Sequence, residues 1–131
     1  REDYEAGILS VSDWDRALLC PMVDARRMEV YAQVFDAEGR PQNEVTAEVI
    51  DAGSFREFRE QGRPFVIFGS GARKCAEVLA GAEFVEVAPS ARGLARLAQQ
   101  ALDEGRTEDI AYFEPFYLKD FVVTTSKKSL F

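Results

Sequence analysis

The chain has 131 residues, of which 47% are hydrophobic and 30% are charged, and its formal net charge at pH 7 is −7. This length and composition are typical of one globular domain, so intrinsic disorder and a collagen-like repeat are excluded. The acidic balance argues against tight binding to nucleic acid, because phosphate neutralisation requires clustered Lys and Arg side chains. The sequence contains no stretch of about 18 apolar residues, the length that a helix needs to cross a membrane. We expect a cytoplasmic protein.

The sequence contains no histidine and two cysteines, Cys20 and Cys75, that do not form a CxxC motif. Without histidine, the chain lacks Ser/His and Cys/His nucleophile pairs and the HExxH helix of metalloproteases. Both cysteines lie in apolar stretches, which predicts buried structural thiols. The sequence therefore offers no histidine-based catalytic pair and no zinc-binding motif of cysteine or histidine.

The first half of the chain predicts an antiparallel β-meander that follows an acidic leading segment. The apolar run at residues 17–24 predicts a buried strand, in which Pro21 requires an edge position or a bulge. A turn then leads to a second strand at residues 28–36. A hairpin loop at residues 36–39 precedes an alternating third strand around residues 45–49.

From residue 50 onward, helices and strands alternate. Ser54-Phe55-Arg56-Glu57 fits a capping box at the start of a short helix that ends at Gly62. Residues 64–68 are entirely apolar and predict a strand. Gly69-Ser70-Gly71 leads into a helix that ends at Gly81, with Ser70 as its expected N-cap.

A short strand at residues 84–87 precedes the clearest helix, which begins at Pro89-Ser90 and ends at Gly105. Its apolar residues recur at helical spacing and are predicted to face inward: Leu94, Leu97, Ala98, Ala101 and Leu102. The aromatic side chains beyond this helix are predicted to pack on the body of the domain: Tyr112, Phe113, Phe116, Tyr117 and Phe121.

The predicted element order is β-β-β-α-β-α-β-α. Short helical connections between apolar strands imply parallel neighbours, so we expect an α/β fold with one mixed sheet covered by helices. This order is similar to one lobe of the actin-like ATPase and ribonuclease H-like folds. The chain then divides into a leading segment at residues 1–16, an actin-like lobe at residues 17–110 and an aromatic tail at residues 111–131.

Both folds suggest a site near the first turn. A ribonuclease H-like nuclease needs several carboxylates at two metal ions. Asp24 is a candidate for one of them. No acidic residue directly follows the strand at residues 64–68, which disfavours a nuclease function. An actin-like nucleotide site uses glycine turns whose amides bind phosphates. Gly69-Ser70-Gly71 fits one such turn, whereas Arg26 and Arg27 replace glycine in the other. A plain strand-to-helix turn is the alternative. The candidate nucleotide or anion contacts are Asp24, Arg26, Arg27, Gly69, Ser70 and Gly71.

Two stretches resemble a single protein family. Residues 23–31, Val-Asp-Ala-Arg-Arg-Met-Glu-Val-Tyr, resemble the Asp-Ala-Arg-x-x-Glu-Val-Tyr signature of the TsaB (YeaZ) family. Residues 114–119, Glu-Pro-Phe-Tyr-Leu-Lys, resemble that family's Glu-Pro-x-Tyr-Leu-Arg tail, and Val87-Ala88-Pro89-Ser90-Ala91 resembles the start of its last helix. The resemblance corresponds to the family's C-terminal lobe alone, and we expect an N-terminal lobe to be missing. The signature residues are Glu29, Tyr31, Glu114, Pro115 and Tyr117.

The resemblance implies a non-catalytic scaffold subunit in the formation of N6-threonylcarbamoyladenosine in tRNA. Its implied partners, through the full-length protein, are a TsaD-like transferase and a TsaE-like ATPase; homodimer formation is a further expectation, and tight tRNA binding is not expected. No cofactor is expected in this lobe, although ATP or ADP is compatible with the complete complex. The family's older glycoprotease label gains no support from a chain without histidine zinc ligands. The nucleotide-binding lobe of an actin-like kinase remains the alternative.

Overall fold

A computed structural model describes residues 1–119, which form an α/β domain around a five-stranded mixed sheet of order β3-β2-β1-β4-β5. Strand β2 is antiparallel to β1 and β3, whereas β4 is parallel to β1 and to β5. The predicted mixed sheet is therefore confirmed. The strands are β1 Leu18–Asp24, β2 Glu29–Ala32, β3 Thr46–Val49, β4 Phe65–Phe68 and β5 Glu83–Phe84.

The helices of the described residues are short except for the last. Helix α4 has 13 residues and begins after Ser90, close to its predicted start, and Ser90 Oγ accepts a hydrogen bond from the Arg92 amide. No helix among residues 1–119 is sufficiently long and apolar to cross a bilayer. The helices are α1 Glu2–Glu5, α2 Arg56–Arg59, α3 Ala72–Cys75 and α4 Ala91–Asp103, with a 3₁₀ turn at Trp14–Arg16.

One side of the sheet, the covered face, carries the main hydrophobic core. Alternate strand residues point into it because successive side chains of a strand lie on opposite sides. Phe55 and Phe58 cover this face near α2, and Cys75 and Leu79 cover it near α3. The strands contribute Leu18, Cys20, Met22, Val30, Ala32, Phe65 and Ile67.

The prediction that Pro21 requires an edge position or a bulge is wrong, because β1 is the central strand and its register with β2 is the same on both sides of Pro21. The antiparallel pairing of β1 with β2 is interrupted instead. Met22 pairs with Ala32, and the same register resumes only at the isolated bridge between Leu19 and Phe35. Pro21 lies in this gap and has no N–H group to donate, so the ladder loses a bond there while the parallel pairing with β4 continues.

The predicted capping box at Ser54 is also wrong. The Ser54 hydroxyl accepts a hydrogen bond from the Asp51 amide at 3.0 Å, and helix α2 begins after Phe55, which has a left-handed φ of 56°. The buried Ser54 thus stabilises the turn after β3, because it satisfies an amide that precedes the helix.

The opposite side of the sheet, the open face, is only partly covered. Trp14 stacks on Tyr4 with ring centroids 4.4 Å apart, and this leading segment packs on Val66 and Phe68. Helix α4 does not add its leucines to this layer. Leu94, Leu97 and Leu102 are 59–64% exposed, so their predicted inward position is wrong. The leading segment already occupies the part of the open face beside β4 and β5.

The prediction that the aromatic tail packs on the body is wrong for the residues that the structure describes. Tyr112, Phe113, Phe116 and Tyr117 are 60–83% exposed. Phe121 lies outside the described residues. This stretch also contains three acidic residues between positions 108 and 114.

Candidate functional site

The hairpin that joins β1 to β2 is held closed by its own backbone and by a lysine from α3. The Ala25 amide donates to the Glu29 carbonyl at 3.1 Å. The Lys74 ammonium donates to Asp24 Oδ1 at 2.5 Å, to the Arg27 carbonyl at 2.6 Å and to the Glu29 carbonyl at 2.8 Å. Its side chain is 25% exposed. One ammonium group therefore satisfies three acceptors around the loop.

Arg26 and Arg27 form the tip of this hairpin and both adopt left-handed conformations, with φ values of 73° and 50°. Such values are uncommon for residues other than glycine and cost free energy. Asp24 offsets part of this cost, because its Oδ1 accepts a hydrogen bond from the Arg26 amide at 2.9 Å. Both arginine residues are exposed, so their guanidinium groups are accessible to an anion.

The bonds around Asp24 also set its charge. The hydrogen bond from Lys74, followed by the bond from the Arg26 amide, holds the pKa of Asp24 below its ordinary value. The carboxylate is therefore ionised at neutral pH, and it neutralises Lys74 at the end of β1.

The turn Gly69-Ser70-Gly71 lies directly beside this hairpin. The Asp24 amide donates to Ser70 Oγ at 3.1 Å, and the Gly71 amide donates to the Met22 carbonyl at 2.9 Å. Ser70 is not the N-cap of α3; Gly71 occupies that position without a side-chain cap. The expected N-cap role is thus replaced by a contact between two loops.

The two glycines are explained by their closeness to β1. A Cβ atom on Gly69, whose φ is 99°, would lie 2.6 Å from the Met22 carbonyl oxygen. A Cβ atom on Gly71 would lie 2.7 Å from Val30 Cγ1. The Gly71 and Ala72 amides already donate to carbonyl groups of the fold. Close packing is therefore a sufficient reason for this Gly-x-Gly sequence.

The family-signature residues are divided by the structure. Glu29 and Tyr31 lie on β2, and Lys119 reaches them from the end of the described chain: its ammonium donates to Glu29 Oε2 at 2.6 Å and lies 6.0 Å from the centre of the Tyr31 ring. The hydrogen bond to Glu29 raises the pKa of Lys119. Glu114, Pro115 and Tyr117 remain in the exposed tail and do not join this cluster.

Lys74 is the residue that the sequence reasoning missed. It follows Gly69-Ser70-Gly71 at the start of a predicted helix, where a charged residue is ordinarily solvated. Its only signal is its position: the end of β4 is expected to lie beside the end of β1 in a parallel pair, which brings the first turn of α3 near Asp24.

Both cysteines are buried and free, as predicted. Burial raises the pKa of Cys20 to about 12 and also raises that of Cys75. The Cys75 thiol donates to the Gly71 carbonyl at 3.2 Å. Neither thiol is ionised at neutral pH, so neither is a thiolate nucleophile in this fold.

A cavity of about 650 Å³ lies on the open face between the sheet and α4. We call it the open-face cavity. Leu19, Phe35 and Phe68 form its apolar floor, whereas Arg92 and Arg96 line it from α4. This arrangement places cationic groups beside an apolar sheet surface.

Among residues 1–119, no group of three or more Cys, Asp or Glu side chains is arranged to hold a metal ion. A scan against protein-family models finds none that matches the chain. A search of curated proteins likewise finds no match.

Proposed function

We propose that the chain serves as the C-terminal lobe of a TsaB-like protein, a non-catalytic scaffold that activates a TsaD-like transferase during formation of N6-threonylcarbamoyladenosine in tRNA. The proposal rests on the resemblance of residues 23–31 and 114–119 to two signature segments of that family. The observation that carries it is the contact between these segments, 90 positions apart, through Lys119 and Glu29 at 2.6 Å. A contact of this kind gives both segments a reason to occur together.

The topology supports the same proposal. Three antiparallel strands precede two parallel strands, and the sheet order is β3-β2-β1-β4-β5. An actin-like or ribonuclease H-like lobe is the finer fold class that we propose for this arrangement.

The charge is compatible with a supporting role. The chain has 16 Lys and Arg residues against 23 Asp and Glu, and this acidic balance disfavours a surface that holds tRNA phosphates. In the proposed complex, the transferase supplies the chemistry and a TsaE-like ATPase supplies nucleotide hydrolysis, while this lobe contributes protein contacts through the full-length protein.

The experiment replaces the C-terminal lobe of a TsaB protein with residues 17–131 of this chain, in cells depleted of their own TsaB. Mass spectrometry of digested tRNA measures the modified nucleoside. We expect the chimera to restore modification. Lys119→Glu and Glu29→Lys should each reduce modification, because each places like charges together, and their combination should restore it.

Arg56→Glu on the exposed surface of α2 is the matched control, and it should leave modification unchanged. A chimera that folds and binds the transferase but yields no modified nucleoside would contradict the proposal. If the single and combined variants gave equal modification, the contact between Lys119 and Glu29 would no longer support the proposed function.

The nucleotide-binding lobe of an actin-like kinase is the second candidate, and one observation favours it. The Asp24 amide and Ser70 Oγ are 3.1 Å apart, which joins the two turns expected at a nucleotide site, beside the exposed Arg26 and Arg27. Calorimetric titration with ADP distinguishes the candidates. ADP binding that is lost in an Arg26→Ala, Arg27→Ala variant would favour the kinase lobe. The absence of any heat of ADP binding would favour the scaffold function.

A further inference from the structure

The open-face cavity combines an apolar floor with a cationic wall. Leu97 and the arginine pair Arg92 and Arg96 line the cavity from α4. Two other charged residues that line the cavity, Arg1 and Glu38, each pair with an oppositely charged neighbour in the sequence. With Asp3 as the remaining acid, the arginines give the cavity a net positive charge.

A second surface of the same chain has the complementary character. The segment of residues 108–117 contains three acidic residues and neither lysine nor arginine. We call it the acidic aromatic segment. Its large apolar side chains are 60–96% exposed: Ile110, Tyr112, Phe113, Phe116 and Tyr117. Aromatic side chains in such numbers are enriched in the centres of protein interfaces.

The segment lies outside its own cavity in this structure. Helix α4 has 13 residues, so at 1.5 Å per residue it carries the chain about 20 Å from Ser90 before the segment begins. Beyond the segment, Lys119 is bound to Glu29 on β2. Among residues 1–119 of one chain, the aromatic side chains are thus exposed and no part of the segment fills the cavity.

We propose that the acidic aromatic segment of one copy docks in the open-face cavity of a second copy. Each copy carries both surfaces, and in the proposed dimer the exchange is reciprocal, so that the pair closes with two-fold symmetry. Aromatic rings fill the apolar floor, and the acids at positions 108, 109 and 114 pair with Arg92 and Arg96. A cavity of about 650 Å³ lies within the size range of sites that hold organic groups. This inference does not depend on the proposed function.

Charge reversal tests the proposal by analytical ultracentrifugation over a concentration series. The cavity variant is Arg92→Glu with Arg96→Glu, and the segment variant is Asp109→Arg with Glu114→Arg. Each alone should be monomeric at concentrations where the wild type is dimeric. An equimolar mixture should form a heterodimer. The acidic cavity of one variant then meets the basic segment of the other, and the second contact joins an unchanged cavity to an unchanged segment.

Truncation tests the apolar part. Phe113→Ala with Phe116→Ala should weaken association about thirtyfold or more if these rings fill the cavity. Arg56→Glu and Glu57→Arg, on α2 against the covered face, are the controls and should leave association unchanged. Circular dichroism identifies variants that are unfolded, and the mixing experiment then uses the single reversals Arg96→Glu and Glu114→Arg.

Three results would overturn the proposal. The wild type could sediment as a monomer up to about 1 mM, a concentration at which weak interfaces are populated. The charge-reversal variants could associate as the wild type does. The folded variants could remain monomeric when mixed, which would assign the two surfaces to different partners.

Discussion

Replacing Gly69 with alanine isolates the close approach between the Gly69-Ser70-Gly71 turn and β1. The new Cβ atom would lie 2.6 Å from the Met22 carbonyl oxygen and 3.4 Å from the Met22 carbonyl carbon. These are backbone atoms of the central strand, so they cannot rotate away as a flexible side chain would. Either the turn or β1 must shift.

Two costs add in this variant. A non-glycine residue with a left-handed φ costs about 1–2 kcal/mol, and the forced contact adds about 1–3 kcal/mol, as for other overpacked sites. Gly81→Ala is the matched control, because Gly81 has a φ of 84° and nothing lies within 4 Å of its Cβ position. We therefore expect Gly69→Ala to be less stable than Gly81→Ala by about 1–3 kcal/mol.

Urea unfolding followed by the fluorescence of Trp14 measures this difference, since domains of this size usually unfold in two states. In thermal unfolding, it corresponds to about 4 °C for each kcal/mol. Equal free energies of unfolding for the two variants would refute the close approach. The glycine at position 69 would then need an explanation outside the fold, such as a ligand that contacts its backbone.

Two further predictions concern ionisation. The pKa of Asp24 is lowered, chiefly by the hydrogen bond from Lys74, so this group adds stability above its unfolded pKa of about 3.9 and loses it as the pH falls through its lower folded pKa. We expect the Lys74→Met variant to have a lower free energy of unfolding than the wild type, with a difference that is largest near neutral pH and narrows on acidification. The same difference in free energy at neutral and acidic pH, measured by urea unfolding, would contradict this. Burial raises the pKa of Cys20 to about 12, so a disulfide reagent at about pH 8 should label Cys20 only after unfolding, and rapid labelling of the native protein would show that the thiol is accessible.

The strands were predictable from the sequence because each is a short apolar or alternating run between turn residues. Residues 64–68 illustrate this, since Phe65, Val66 and Ile67 are buried in β4 as their composition indicates. The position of Pro21 in the central strand was not predictable. Proline is ordinarily excluded from central strands because it cannot donate a hydrogen bond to a neighbouring strand. Here one ladder is interrupted while the other is kept, which depends on the neighbours of β1 in the folded sheet.

Helix α4 marks a second limit of sequence reasoning. Its apolar periodicity and its start at Pro89-Ser90 predicted the helix correctly, because both are local properties of the chain. Periodicity does not say what covers the apolar stripe, and Trp14 of the leading segment competes for the same side of the sheet. The candidate site follows the same division: the hairpin loop was visible in the sequence, whereas the contact with Lys74 depends on how β4 lies beside β1.

The contact between the two loops has a mechanical consequence. Gly69 and Gly71 leave no space for a Cβ atom against β1, and Ser70 Oγ accepts a hydrogen bond from the Asp24 amide, so the turn and the hairpin are held in direct contact. Opening this corner of the domain like a lid would break these contacts. A ligand at Arg26 and Arg27 would meet a backbone that is already folded, so the ordering entropy lost on binding would come mainly from the two exposed arginine side chains. The selectivity of such a site would then depend on how well a ligand fits the existing backbone shape, and not on a loop that closes around the ligand.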